Sequence, residues 1–233
     1  MARYTPSLRS PIEERWMESC TQVIEVAGGW RMPAAFQSLE AELQAARERV
    51  ALGDETPRGK LLVQGEELAE AARQAFGGAP GAVGTWVEAD GVELSRLRPD
   101  LLYCGTAPER LVSATEALRA AAKGLTGQLT VTDVTHGRFE LRLLGPDAAT
   151  LLSRVCGLDF HETRFAQGHV AQTSVAKTHQ LILRADAADL PAYRLIGGRA
   201  LGAYVWDTLM EAGRDLQMSP IGWHGLERTR SSD

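Results

Sequence analysis

The sequence predicts an α+β protein in which a strand–turn–helix unit occurs twice. The first observation is an internal likeness. Gly59–Phe76 and Gly137–Val155 each read as a glycine and a basic residue, an apolar strand, a second glycine, an acidic residue within two positions and an amphipathic helix. Glycine at the strand end allows the tight reversal that lays the helix back on its sheet. Such units are common, so coincidence is the other reading of the likeness. The second observation is the alternation of Gly137–Leu144, where Phe139, Leu141 and Leu143 share one face and Arg138, Glu140 and Arg142 the other. This is the pattern of a half-buried antiparallel strand, and it explains the arginines without a ligand. The third is size. A chain of 233 residues, 44% hydrophobic and 24% charged, suits one large domain or two small interleaved ones at roughly 150 residues per domain.

Each element follows from local pattern. Ser38–Val50 places Leu39, Leu43, Ala46 and Val50 at helical spacing with Glu40, Glu42, Arg47 and Glu48 opposite, between a Ser38 cap and a stop near Gly53. Gly59–Gly65 is a short strand, and a helix runs from about Glu66 to Phe76. Gly77–Gly84 is a loop, rich in glycine with one proline. Trp86–Glu88, Val92–Leu94 and Leu101–Tyr103 are three short strands, the first two joined by the tight turn Asp90-Gly91. Pro108 opens a helix that ends near Lys123, with Gly124 as its stop. After the alternating strand, Gly145-Pro146-Asp147 leads into a helix carrying Ala148, Leu151, Leu152 and Val155. Strands at Gln180–Arg184 and Tyr193–Ile196 precede a last long helix, Leu201–Ala212, stopped by Gly213.

Composition excludes several classes. Acidic residues outnumber basic ones, 30 to 25, for a net charge of −5; a dedicated nucleic-acid binder shows the opposite excess. Cys20, Cys104 and Cys156 are odd in number and far apart, so neither a disulfide framework nor a metal knuckle is expected. The five histidines lack zinc-ligand spacing, and no metal is expected. Nothing in the spacing singles out Cys156 and His161 as a thiol–imidazole pair, and no glycine-rich phosphate loop occurs. The polar start, with Pro6 and Pro11, and the lack of any run near the ~20 apolar residues of a membrane span predict a cytoplasmic protein with no membrane partner. On these grounds alone the activity stays unassigned.

Motifs carry the reading further. Val26–Pro33, the Ser38–Val50 helix with Glu42 and Arg47, and Leu52–Gly65 resemble the opening of the aminomethyltransferase, or glycine-cleavage T-protein, family. That family opens with G-W/Y-x-M-P, a helix with Glu and Arg, and G-x-x-D-x-S-x-x-(G/x)-K before a strand ending in glycine. Thr56 stands in place of the serine. Leu143–Ala148, Trp206, Leu209, Glu211-Ala212-Gly213 and Pro220–Arg230 are similar to the family's ending, G-P-x-A … W-x-x-L-x-x-A-G … P-x-G-x-x-A-R-D-x-L-R. Arg230 falls on its final arginine and Glu227 on its aspartate, while Leu226 replaces its first arginine. Gly168–Thr178 and Pro191–Leu195 are more similar to the gamma subunit of heterotetrameric sarcosine oxidase. YgfZ-type folate-binding proteins form a third branch with the same fold.

The resemblance implies a T-protein-like folate-binding core of two interleaved α/β subdomains. Residues 1–58 and 124–233 would form a discontinuous first domain, and residues 59–123 an inserted ferredoxin-like α/β subdomain. Tetrahydrofolate is the implied cofactor. Full-length family members continue past the closing arginine into a C-terminal β-barrel; with Asp233 as its last residue, the chain is expected to lack it and to present a more open site.

Site residues are implied in the same way. The family hairpin G-G-x-x-D-D-L supplies an aspartate beside the reactive folate nitrogens, where a carboxylate stabilises positive charge as a methylene passes between amines. The hairpin here, Asp90–Asp100, is shorter, and Glu93 is the candidate catalytic carboxylate. The counterpart of the family's G-Y-T-G-E-x-G-x-E loop, Leu190–Gly198, has no glutamate, so one polar anchor of the pterin is missing. Arg230 suits the glutamyl carboxylate of a folate. Trp30, Met32, Tyr103, Tyr193 and Trp223 are candidates for an apolar, stacking pocket, with plain core packing as the competing reading. The implied function is tetrahydrofolate-linked one-carbon metabolism with weakened or lost aminomethyl transfer. The alternatives are a competent aminomethyltransferase using Glu93 and a non-catalytic gamma-type subunit of a sarcosine oxidase-like amine oxidase. Implied partners are a folate or small amine-derived one-carbon donor, flavin amine oxidase subunits, or a second copy of the chain.

Overall fold

A computed structural model describes residues 8–230; Pro6 and the outermost ends of the expected first domain lie outside the described residues. The chain opens with β1 (Leu8–Arg9), helix α1 (Glu13–Trp16), β2 (Gln22–Val26) and β3 (Trp30–Ala35), whose strands form a small sheet of order β1-β3-β2. Helix α2 (Leu39–Glu48) and β4 (Ala51–Asp54) follow. Ser38 caps α2, its hydroxyl accepting from the Ala41 amide. A first unit then runs β5 (Gly59–Gly65), α3 (Leu68–Phe76), β6 (Trp86–Ala89), β7 (Val92–Arg98), β8 (Leu101–Thr106), α4 (Leu111–Lys123) and β9 (Leu129–Asp133). A second runs β10 (Arg138–Leu144), α5 (Ala148–Val155), β11 (Val170–Val175), β12 (Thr178–Arg184), β13 (Ala192–Gly198), α6 (Gly202–Ala212) and β14 (Ser219–Ile221). Helix α7 (Trp223–Arg230) closes the described chain.

The two units share one topology. Their sheets have the orders β6-β7-β8-β5-β9 and β11-β12-β13-β10-β4-β14. In each, the first strand leads into a helix, three strands meander, and a second helix returns the chain to the far side of the first strand. The one insertion is β4, which lies between β10 and β14. The turn glycines correspond as well. Gly65 and Gly145 have φ of +141° and +121°, and a Cβ would stand 2.0 Å from the Gln128 carbonyl oxygen in one case and 2.4 Å from that of Arg49 in the other. Only glycine fits either turn.

Each sheet packs one face on its own helices. Leu61, Val63, Leu94 and Cys104 meet α3 and α4 through Leu68, Ala72 and Leu118. Phe139, Leu141, Leu143 and Tyr193 meet α5 and α6 through Leu151, Leu152, Val205 and Leu209. The opposite faces turn toward each other, with Tyr103 on β8 packed among Val170, Leu181, Leu183 and Ile196 of the larger sheet. This corrects the reading of β10. Its charged face is no solvent face, and Glu140 and Arg142 are 1% and 2% exposed. Alternation reports which residues share a face, and the second sheet covers the charged one. Among the described residues, no helix is long and apolar enough to cross a membrane.

Candidate functional site

The inward faces of the two sheets carry a cluster of buried charges. It begins in the β4–β5 turn, where the Asp54 carboxylate accepts from the Thr56 amide at 3.0 Å and the Glu55 amide donates to the Glu140 carbonyl at 2.9 Å. These bonds present Glu55 and Arg58 to the space between the sheets. Lys60, at the start of β5, donates to the Thr56 and Arg58 carbonyls at 3.0 and 2.7 Å and pairs with Glu140 at 3.3 Å. Burial pulls the Lys60 ammonium below its ordinary range, with Glu140 opposing.

Glu55 is fully buried and meets three guanidiniums: Arg230 at 2.6 Å, Arg194 at 3.1 Å and Arg142 at 3.4 Å. Burial works to raise its carboxyl, but these cations, Arg230 foremost, hold it well below the usual carboxylate range. Glu140 follows the same rule: burial raises it, and Lys60, Arg58 and Arg194 overcome that and lower it. Glu93, on β7, pairs with Arg58 at 3.1 Å through one oxygen and with Arg194 at 2.9 Å through the other. Gly105 is its register partner on β8, and a Cβ there would come within 3.0 Å of the Glu93 carboxylate.

Beside this cluster lies a cavity of about 340 Å³, lined by Arg58, Arg142, Arg194 and Arg230 with Glu93, and walled on one side by Trp86. The Trp86 indole is fixed by donation to the Arg184 carbonyl at 2.8 Å, a bond that ties the edge of one sheet to the other. Helix α7 brings Arg230 to the cavity. Its entry is anchored by Glu42 of α2, which is 1% exposed and accepts from the Gly222 amide at 3.0 Å. The Arg230 guanidinium also lies 5.0 Å from the centroid of the Trp223 ring.

Of the residues singled out from sequence, Glu93 and Arg230 face this cavity together. Trp30, Met32 and Trp223 form a separate buried cluster under the small sheet. Trp30 stacks on His136 there, 5.4 Å between centroids. Tyr193 lies in the large core, edge-on to Phe160 at 5.6 Å. Tyr103 borders a second cavity of about 120 Å³ between the sheets. Its buried hydroxyl has no hydrogen-bond partner among the described residues, and burial raises it well above the ordinary phenol range. Glu55, Arg58 and Arg194 are not singled out from sequence, and Arg142, read there as half of an amphipathic strand, lines the cavity instead. The available signal was four charged residues, Asp54, Glu55, Arg58 and Lys60, within seven positions where two short strands meet.

The chain has the fold of the glycine-cleavage T-protein. It superposes on the aminomethyltransferase of Bartonella henselae with a TM-score of 0.80 at 17% identity, covering 97% of this chain and 62% of that one. Residues 13–232 match the family described as the GCVT N-terminal domain, and the chain belongs to that family. A chain of the heterotetrameric sarcosine oxidase from Corynebacterium sp. U-96 superposes with a TM-score of 0.63 at 24% identity, over 76% of this chain and 92% of that one. In sequence, the chain is 28% identical over 211 residues to the 4-methylaminobutanoate oxidase (formaldehyde-forming) of Paenarthrobacter nicotinovorans, covering 85% of this chain and 25% of the oxidase. The chain therefore spans only a quarter of that relative's length.

Proposed function

We propose that this chain forms the folate-side module of a protein of tetrahydrofolate-linked one-carbon metabolism in which aminomethyl transfer is weakened or lost. The observation that carries the reading is the state of Glu93. Both of its oxygens are committed, to Arg58 and Arg194. A carboxylate neutralised by two guanidiniums has little left to offer a cation developing between two amines. The donor set does suit part of a folate. Arg230 fits a glutamyl carboxylate, and Trp86 supplies an aromatic face at the cavity wall. A bound tetrahydrofolate would supply the amine nitrogens that accept a one-carbon unit. The chain's own residues would hold its acidic tail and shield the cavity from water.

Titration calorimetry with tetrahydrofolate and 5-formyltetrahydrofolate tests this reading. Binding without methylene transfer from an aminomethyl donor is the expected result, and no heat at millimolar ligand rejects it. If the chain is a competent aminomethyltransferase, transfer is measurable and is lost in Glu93→Gln.

A second reading, a non-catalytic gamma-type subunit of a sarcosine oxidase-like amine oxidase, is supported by the 92% coverage of the Corynebacterium oxidase chain. Co-purification with a flavin amine oxidase tests it.

A further inference from the structure

We propose that the cavity between the two sheets is a binding site for a small amino acid, its carboxylate seated on Arg142 and its ammonium facing Glu88 at the exposed rim. The inference rests on the same cavity as the folate reading and does not require folate.

The four arginines of the cavity are not equally engaged. Arg58, Arg194 and Arg230 each make ion pairs of 3.1 Å or less. Arg142 is the most buried of the four, at 2% exposed, but reaches only 3.4 Å to Glu55 and 3.5 Å to the Ala185 carbonyl; its Nε, like those of Arg58 and Arg194, donates no hydrogen bond among the described residues. Burial draws its guanidinium down to about 10. A buried cation with stretched bonds on a cavity wall has unused capacity for an oxyanion. A carboxylate, planar and able to take two parallel N–H bonds, matches it.

The rest of the ligand is constrained by the other charges. Glu88 lines the cavity, is exposed and has no ion pair among the described residues. Asp186, also in the lining, is held by Arg184 at 3.1 Å. A second carboxylate on the ligand would meet these groups unfavourably, whereas an ammonium would pair with Glu88. At about 340 Å³ the cavity stands at the small end of ligand pockets, which run from ~300 to 1,000 Å³. A short ω-amino acid satisfies these constraints.

The test is calorimetry on the full chain with 4-aminobutanoate, butyrate and 1,4-diaminobutane. The wild type should bind 4-aminobutanoate more tightly than either of the other two. Glu88→Gln should bring 4-aminobutanoate down to the affinity of butyrate. Arg142→Met should weaken both carboxylates at least about tenfold. Should Arg142→Met fail to fold, the wild-type ranking and the exposed Glu88→Gln variant decide the matter. Equal affinity for 4-aminobutanoate and butyrate, or no binding of either, overturns the proposal. 5-Formyltetrahydrofolate is titrated separately. Its binding without that of 4-aminobutanoate rejects the amino-acid site and leaves the folate reading standing, and the converse result does the opposite.

Discussion

Arg142 and Arg194 are register partners on neighbouring antiparallel strands, two buried guanidiniums side by side on one face of a sheet. Like charges directly opposed across strands destabilise a sheet. Glu55 resolves the conflict by accepting from Arg142 and pairing ionically with Arg194 at 3.1 Å, and it accepts from Arg230, at the end of the described chain, as well.

Glu55→Gln leaves these guanidiniums without their shared counter-charge. Breaking a buried ionic cluster by removing one partner costs about 3–5 kcal/mol. The variant should unfold at a clearly lower urea midpoint with an unchanged slope.

Acid should act through the same carboxylates. Glu55 and Glu140 both titrate below their unfolded value in the folded chain. Their contribution is complete above about pH 4.3, the unfolded value, and is lost as pH falls through the lower folded values. Asp54 works the other way: burial raises its carboxyl, so it opposes folding as pH rises past its unfolded value. Urea midpoints measured across the acid range should fall with decreasing pH, and more shallowly in Glu55→Gln.

The two turn glycines make a paired test of the duplication. Gly65→Ala and Gly145→Ala each force a Cβ against a backbone carbonyl at positive φ. Each should destabilise by more than about 1 kcal/mol, measured by thermal or denaturant unfolding. Gly77→Ala separates conformation from clash, because that glycine also has positive φ but nothing lies near its Cβ. It should cost less than either.

Arg230→Gln reports on the folate reading. Losing one charge-assisted contact should weaken 5-formyltetrahydrofolate binding at least about tenfold. Unchanged affinity would remove Arg230 from the site.

Local pattern made much of the fold legible. Ser38 acts through its hydroxyl on an amide three residues on, and Gly65, Asp90-Gly91 and Gly145 act through their own backbone, so the α2 cap, both strand–helix reversals and the β6–β7 hairpin can be read from short windows. The short strands β4 and β14 carry no period of their own and exist by pairing with partners distant in sequence. The site suffers from the same limit. Arg230 and Glu93 stood out by motif, but the groups that hold them do not. Glu55 is separated from Arg142 by 87 residues and from Arg230 by 175. An arginine on an alternating strand looks the same whether water or a second sheet lies above it. Trp30, Met32 and Trp223 have the composition of a stacking pocket, yet they close on one another under the small sheet.

The wedged position of β4 bears on how the protein is made. This strand leaves the ribosome before either unit, yet it lies between β10 and β14, pairing Leu143 with Leu52 and Ile221 with Gly53. The larger sheet can close only after residue 221 has emerged, and until then β4 waits with an unpaired edge. The first unit, whose strands all lie between Gly59 and Asp133, can form while synthesis continues. The first unit is thus complete in sequence well before the larger sheet, and β4 gains its second neighbour only when β14 arrives.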